Sequence, residues 1–190
     1  MTETTLQKTA ITICGSLRAG SINETLRRHM SAKLREAGVS VTDLSLADFE
    51  MPIFNQDLEP EHTPEAAKRL ADLFRTTDIV LIITPEYNGG VTPLIANTIA
   101  WVSRQGKPSP WRHAIFGIGG VSDGKYATIF GLSHLRDSLS KVGALVVPTL
   151  LGLGPAPDIF DENGAPNEAS IQWKVGQMVR ELTHFSRGGI

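Results

Sequence analysis

Asp78-Ile79-Val80-Leu81-Ile82-Ile83-Thr84, residues 78–84, decides the fold class. Its five central residues are all apolar and mostly β-branched, with no alternation between wet and dry positions. A strand of that kind is buried on both faces, the setting of a parallel sheet covered by helices on either side. Strands and helices should therefore alternate to the left and right of it. Upstream lie a strand at Thr9–Cys14, a helix from about Ser21 to Ala37, and a second strand at Val39–Leu44. A long connection from Ala47 to Thr63 follows, then a helix opening at Thr63-Pro64-Glu65, with Thr63 as N-cap and Pro64 at the first position. Downstream, Pro93 to Arg104 carries Leu94, Ile95, Ile99 and Val102 at helical spacing behind a Thr92 cap. Then come a fourth strand at His113–Ile118, a helix over about Lys125–Val142 and a fifth strand at Ala144–Val147. A Gly/Pro-rich stretch, Gly152 to Pro157, leads to a last helix from about Glu168 to Ser186.

Five strands and five helices in alternation predict a doubly wound α/β domain, a three-layer sandwich spanning residues 1–190 without a linker. Such sheets take ligands beyond the C-terminal strand ends, where the winding direction reverses. With strand order 2-1-3-4-5, that crevice lies between the first and third strands. The 190 residues are 41% hydrophobic and 20% charged, with a net charge of −2. That balance lacks the basic footprint of a nucleic-acid or anionic-membrane binder. It equally lacks the strongly acidic surface of a carrier that docks basic partners. The apolar runs are too short to cross a bilayer, and Met1 to Lys8 lacks the apolar core of a signal peptide. Cys14 stands alone, so no intrachain disulfide can form. A cytoplasmic location is the expectation.

The loop after the first strand reads Gly15-Ser16-Leu17-Arg18-Ala19-Gly20-Ser21-Ile22-Asn23. It joins a buried strand to a helix N-terminus, where free N–H groups and the helix dipole favour an anion. Ser16, Ser21 and Asn23 add neutral donors, and Arg18 adds a cation that can fork onto a phosphate. The lysine position of the GxxxxGK[ST] loop holds Ser21, and Leu17 breaks the GxGxxG fingerprint, so a monophosphate ester fits better. A plain capping box, Ser21 as N-cap with Glu24 at N3, explains part of the same segment equally well. The loop after the third strand, Thr84-Pro85-Glu86-Tyr87-Asn88-Gly89-Gly90, is either a rigid wall for a planar ring or an ordinary βα turn. Gly119-Gly120-Val121-Ser122-Asp123-Gly124-Lys125, leaving the fourth strand, could bring Gly120 and Ser122 to the other edge of such a ring. Cys14 and the scattered histidines read as packed or solvated, with no metal-ligand spacing.

Taken together, these loops resemble the NADPH-dependent FMN reductase family, a flavodoxin-like group that includes azo-dye, quinone and chromate reductases. GSLRAGSIN (residues 15–23) resembles its phosphate motif, TPEYNGGVTPLIANTIAWVSR (84–104) its PEYN motif and following helix, and Met51-Pro52-Ile53-Phe54-Asn55-Gln56-Asp57 its long-connection segment. The resemblance implies that Ser16, Arg18, Ser21, Ile22 and Asn23 surround the phosphate of FMN. It implies that Pro85, Glu86, Tyr87 and Asn88 meet the ribityl chain and ring. It further implies a two-step oxidoreductase in which NADPH or NADH donates hydride and a small-molecule acceptor takes electrons at the same open site. A homodimer or homotetramer is implied as well. The alternative on the same fold is a non-enzymatic flavodoxin-like electron carrier. Two helix positions depart from the family pattern, Ala96 and Ala100 standing where a lysine and an aspartate are usual.

Overall fold

In a computed structural model, which describes residues 7–124, 126–156 and 158–187, five parallel strands form one sheet in the order β2-β1-β3-β4-β5. The strands are β1 (Thr9–Cys14), β2 (Ser40–Leu44), β3 (Ile79–Ile83), β4 (Ile115–Val121) and β5 (Leu145–Leu153). The helices are α1 (Ile22–Glu36), the single turn α2 (Glu59–His62), α3 (Glu65–Thr76), α4 (Pro93–Val102), α5 (Ile129–Lys141) and α6 (Ala169–His184). The α2 turn sits inside the long connection, where the sequence pattern gives no helix. Thr63 belongs to its end, donating its hydroxyl to the Glu59 carbonyl, so α3 begins one residue later than expected, with Pro64 at the cap position.

Alternate residues of the central strands feed two separate cores. Ile11, Ile13, Val80, Ile82, Phe116 and Ile118 pack with Leu70, Phe74, Ile99 and Leu135 from α3, α4 and α5. Ala10, Ile79, Leu81, Ile83 and Ile115 pack with Leu26, Met30, Val175 and Met178 from α1 and α6. Every β3 residue is buried, as its unbroken apolar run requires. Each large side chain so enclosed contributes about 1.5–3 kcal/mol.

Two strands run further than their sequence patterns indicate. β4 continues through Gly119-Gly120-Val121, so these residues are sheet, not loop. Gly120 is bare because a Cβ there would run into the Thr84 carbonyl oxygen of the neighbouring chain segment. β5 passes Pro148 by shifting register: Phe116 pairs with Val146 and Ile118 with Leu150. The bulge tolerates a proline because it sits at the sheet edge, out of the ladder. Arg136 donates to the carbonyls of Val147 and Pro148, while the buried Glu181 accepts from the Thr149 N–H and hydroxyl.

The polar centre of the α1–β1–β2 corner is Arg27, whose side chain is only 8% exposed. It meets Glu24 through two hydrogen bonds (2.7 and 2.6 Å), Asp43 at 2.5 Å and the Thr12 hydroxyl at 2.7 Å. Hydrogen bonding to Arg27 lowers the Glu24 carboxyl. Burial opposes the charge on Asp43, yet hydrogen bonds from Arg35, Ser31, Thr12 and Arg27 outweigh it and hold that carboxyl far below the usual range. Both groups thus have depressed folded-state pKa values. Their contribution is complete above the unfolded carboxylate range and disappears as pH falls through the lowered folded values.

Acidification below about pH 4 is therefore expected to erode stability steeply, and Asp43→Asn should flatten that dependence. At neutral pH the same change should cost about 1–3 kcal/mol, because Arg27 loses one of its two anions. Thermal melts from neutral to acid pH check both, and an unaltered acid slope in the variant would exclude the network as its source. Gly120→Ala should cost about 1–3 kcal/mol through the Thr84 clash; an unchanged melting temperature would contradict the close approach.

Candidate functional site

The C-terminal edge of the sheet carries the three loops that the sequence singles out. The first is anchored by Asn23, which is 3% exposed. Its side-chain amide donates to the Val121 carbonyl at 2.9 Å and accepts from the Val121 N–H at 2.8 Å. The oxygen and one N–H of that amide are thus engaged by the end of β4, leaving its second N–H as the remaining side-chain donor. The engaged pair fixes the loop after β1 against the strand two places away.

The capping-box reading also fails. Ser21 occupies the N-cap position of α1 but makes no side-chain cap hydrogen bond. Glu24, needed to close the box, points its carboxylate at Arg27 and Arg28 instead. The Ile22 and Asn23 N–H groups, the first two of the helix, have no intrahelical acceptor and meet no other acceptor among the described residues. Arg18 is exposed and makes no side-chain hydrogen bond or ion pair among the described residues. Ser16 accepts only a long 3.4 Å contact from the Arg18 N–H. An uncapped helix start beside an uncommitted guanidinium is what a phosphate dianion requires. Beneath it, burial pushes the Cys14 thiol up, partly offset by hydrogen bonding from the Ser16 N–H. The thiol is 8% exposed and sits in the sheet core as a small apolar group.

The second loop is a tight turn. Tyr87 and Gly90 exchange both backbone hydrogen bonds (3.2 and 2.9 Å) around Asn88 (φ 52°) and Gly89 (φ 74°). Two successive positive φ values define a type I′ turn, the reason for the Asn-Gly pair. Tyr87 projects from it, about half exposed. Glu86 does not face the crevice with its carboxylate: that group accepts the Gly131 N–H at 2.7 Å and so caps the start of α5. Its charge thus sits on the α5 dipole, and what Glu86 turns toward the crevice is its backbone. The half-buried Pro85 supplies a carbonyl that accepts from the Thr84 hydroxyl.

The third loop is shorter than its glycines suggest. Gly120 lies inside β4, packed against Thr84, so its role is first of all a packing one. Ser122 is the first loop residue; its N–H and carbonyl pair with Leu153 and Ala156, and its hydroxyl makes a weak 3.4 Å contact with the Gly124 carbonyl. Lys125 lies outside the described residues.

Sequence reasoning missed the clamp on the long connection. Asn97 accepts from the Phe54 N–H at 2.8 Å and donates to the Pro52 carbonyl at 2.9 Å, while the Trp101 indole donates to that same carbonyl at 2.7 Å. Phe54 packs edge-on against Trp101, with Arg104 over its ring. The recurrence of Asn97 and Trp101 one turn apart was the available signal. Ala96 and Ala100 occupy the adjoining outer positions of α4, exposed and half-buried.

Comparison with known proteins places this geometry. The family model for NADPH-dependent FMN reductase matches residues 9–158. An NAD(P)H-dependent FMN reductase of Pseudomonas aeruginosa is 34% identical over 184 residues, covering 92% of this chain and 93% of the relative. A quinone reductase of Escherichia coli K12 is 34% identical over 185 residues, covering 92% of each. Among solved structures, the flavoenzyme NAD(P)H:(acceptor) oxidoreductase FerB from Paracoccus denitrificans superimposes with a TM-score of 0.77 at 26% identity, over 93% of this chain and 97% of that one. A flavodoxin from Pseudomonas aeruginosa, 18% identical with a TM-score of 0.59 over 92% of this chain and 99% of that one, shares the fold. The five-stranded order, the uncapped phosphate loop and the Asn-Gly turn thus sit in a chain that belongs to the NADPH-dependent FMN reductase family.

Proposed function

We propose that this protein is an FMN-dependent NAD(P)H oxidoreductase that reduces small acceptors of the flavin, quinone or azo class. The observation that carries the reading is the open start of α1: Ser21 and Glu24 decline to cap it, leaving the Ile22 and Asn23 amides beside Arg18. These groups would hold the FMN phosphate, with Ser16 and Ser21 supplying hydroxyls. The type I′ turn of Tyr87-Asn88-Gly89-Gly90 would offer its outward amides and the Tyr87 face to the ring, and Ser122 would border its far edge. FMN, when bound, supplies two-electron exchange between the nicotinamide and the acceptor. The chain's own part is to fix the phosphate, anchor the first loop to the end of β4 through Asn23 and the second to the start of α5 through Glu86, and keep one face open. No protein acid or base is assigned. NAD(P)H is oxidised, and a quinone acceptor gains two electrons and two protons, the protons drawn from the nicotinamide hydride and from solvent.

The same reading makes the chain a homodimer or homotetramer. Tyr126 and Phe130 stack at 5.9 Å beside exposed Ile129, at the start of the helix that Glu86 ties to the ring loop, and a second copy would cover them. Among the described residues no helix is long and apolar enough to cross a membrane. A cytoplasmic location follows for this reading from its reduced nicotinamide donor.

Purified protein should be yellow or become so with added FMN, and anaerobic NADPH should bleach the visible band until a quinone restores it. Protein that stays colourless with FMN present overturns the proposal. Arg18→Ala should weaken FMN binding roughly 10–100-fold, the worth of a charge-assisted hydrogen bond of about 1.5–3 kcal/mol. His62→Ala, on the exposed connection, should leave it unchanged; equal losses in both variants would remove Arg18 from the site.

A further inference from the structure

The opposite edge of the sheet, some 20 Å from the phosphate loop along a six-residue strand, holds a cavity of about 620 Å³. Its wall is cationic: Lys8 just before β1, Arg75 near the end of α3, Arg112 before β4 and Arg187 after α6, with Asp78 the only carboxylate among the described lining residues. Basic residues belong at this edge, because the C-terminal ends of helices converge on it and expose carbonyls. Much of their charge is used that way. Lys8 donates to the Phe185 carbonyl at 2.9 Å, Arg187 to the Gly143 carbonyl at 2.8 Å, and Arg75 to the Gln105 carbonyl while pairing with Asp72. Asp78 is itself engaged by the Thr9 N–H and hydroxyl.

What remains exceeds the needs of the helix ends. The Arg112 side chain makes no hydrogen bond or ion pair among the described residues, its stem lying against Gly143, the residue whose carbonyl Arg187 holds. Arg187 keeps a buried Nε–H with no acceptor. Two guanidiniums therefore flank one glycine with no carboxylate between them among the described residues. Burial and the repulsion of Arg112 push the Arg187 guanidinium down from its ordinary value, the mark of a charge short of a counter-ion. A buried donor without a partner costs about 1–3 kcal/mol, and an oxyanion would satisfy Arg187 and Arg112 together. The volume lies in the range of pockets that hold small metabolites.

The geometry points to a second, anion-binding site at the N-terminal edge of the sheet, in which Arg112, Arg187 and Lys8 take the phosphate group of a small metabolite. It is independent of the flavin reading, sharing no residue with it. Its ligand is a compact phosphate, free or esterified, since the cleft is too small and too isolated for a nucleic-acid backbone.

Calorimetric titration tests this on the FMN-loaded protein, whose phosphate loop is then filled; protein that takes no FMN is titrated as purified after Arg18→Gln. Inorganic phosphate and adenosine monophosphate are the two probes, at ionic strength held constant with chloride. A saturable one-site isotherm is expected with at least one of them. Tighter binding of inorganic phosphate marks a free-phosphate site, tighter binding of the nucleotide an ester site. Arg112→Gln should weaken that binding tenfold or more without changing the melting temperature, the FMN content or NADPH turnover. Lys8→Gln gives a second, independent loss should Arg112→Gln fold poorly. An isotherm indistinguishable from the chloride control, or phosphate binding unaltered in both variants, overturns the site.

Discussion

The corner around Arg27 governs how the loop after β1 can be used. A helix beginning Ser-Ile-Asn-Glu would ordinarily close on itself, with serine and glutamate satisfying each other's backbone donors. Here the glutamate finds a stronger partner. A buried guanidinium forked onto Glu24 at 2.6–2.7 Å outcompetes a neutral N–H for that carboxylate. The carboxylate is drawn along the helix toward Asp43 and away from its own first turn. A negative charge over the α1 amides would repel a phosphate; the Arg27 pair removes it. The ion network is thus a structural element with an electrostatic consequence one turn away, and it explains how an acidic residue can sit in the first turn of a helix whose leading amides stay open.

The same economy recurs in the side chains that join distant segments. Asn23 brackets the Val121 peptide from both sides, and Asn97 brackets the Pro52–Phe54 connection. In each case one carboxamide satisfies a donor and an acceptor of irregular backbone that would otherwise be buried unpaired. Aspartate could only accept and lysine could only donate, so neither could replace asparagine at either place. Glu86 does a related task with a charge, capping α5 and so coupling the Asn-Gly turn to the helix that carries Phe130, with Tyr126 in the turn before it.

Legibility in the sequence followed the range of the physics. The central strands and the strand order were readable because β3 is apolar at every position and only a doubly covered sheet permits that. The loops could be placed because they follow from the strands. What could not be read were competitions settled by residues far away in the chain. Ser21 and Glu24 look like a capping box until Arg27 and Asp43 are seen together, and nothing local announces that Asn23 anchors on Val121, 98 residues later. Gly119-Gly120 looked like loop because glycine is rare in strands, whereas the Thr84 carbonyl leaves no room for a side chain at Gly120 and Ile83 and Leu151 crowd Gly119. Pro148 ended the β5 pattern early for a similar reason: a proline cannot serve the ladder, but an edge bulge braced by Arg136 and Glu181 carries the strand past it.

Parallel strands with returning helices polarise the molecule, and both ends of that polarity are used. Helix N-termini gather where strands finish, giving α1 its surplus of donors beside Arg18. Helix C-termini gather where strands start, where carbonyls outnumber donors and cations are the natural complement. At that edge Lys8, Arg75 and Arg187 each meet a terminal carbonyl, as simple neutralisation of the dipoles requires. Neutralisation alone gives no reason for Arg112, which touches no carbonyl, nor for bringing it close enough to Arg187 to disfavour that residue's charge. Burial first and the neighbouring Arg112 charge second disfavour the Arg187 guanidinium, and an anion set between the two would offset both, so the side chains at this edge oppose the sign that the helix dipoles give it.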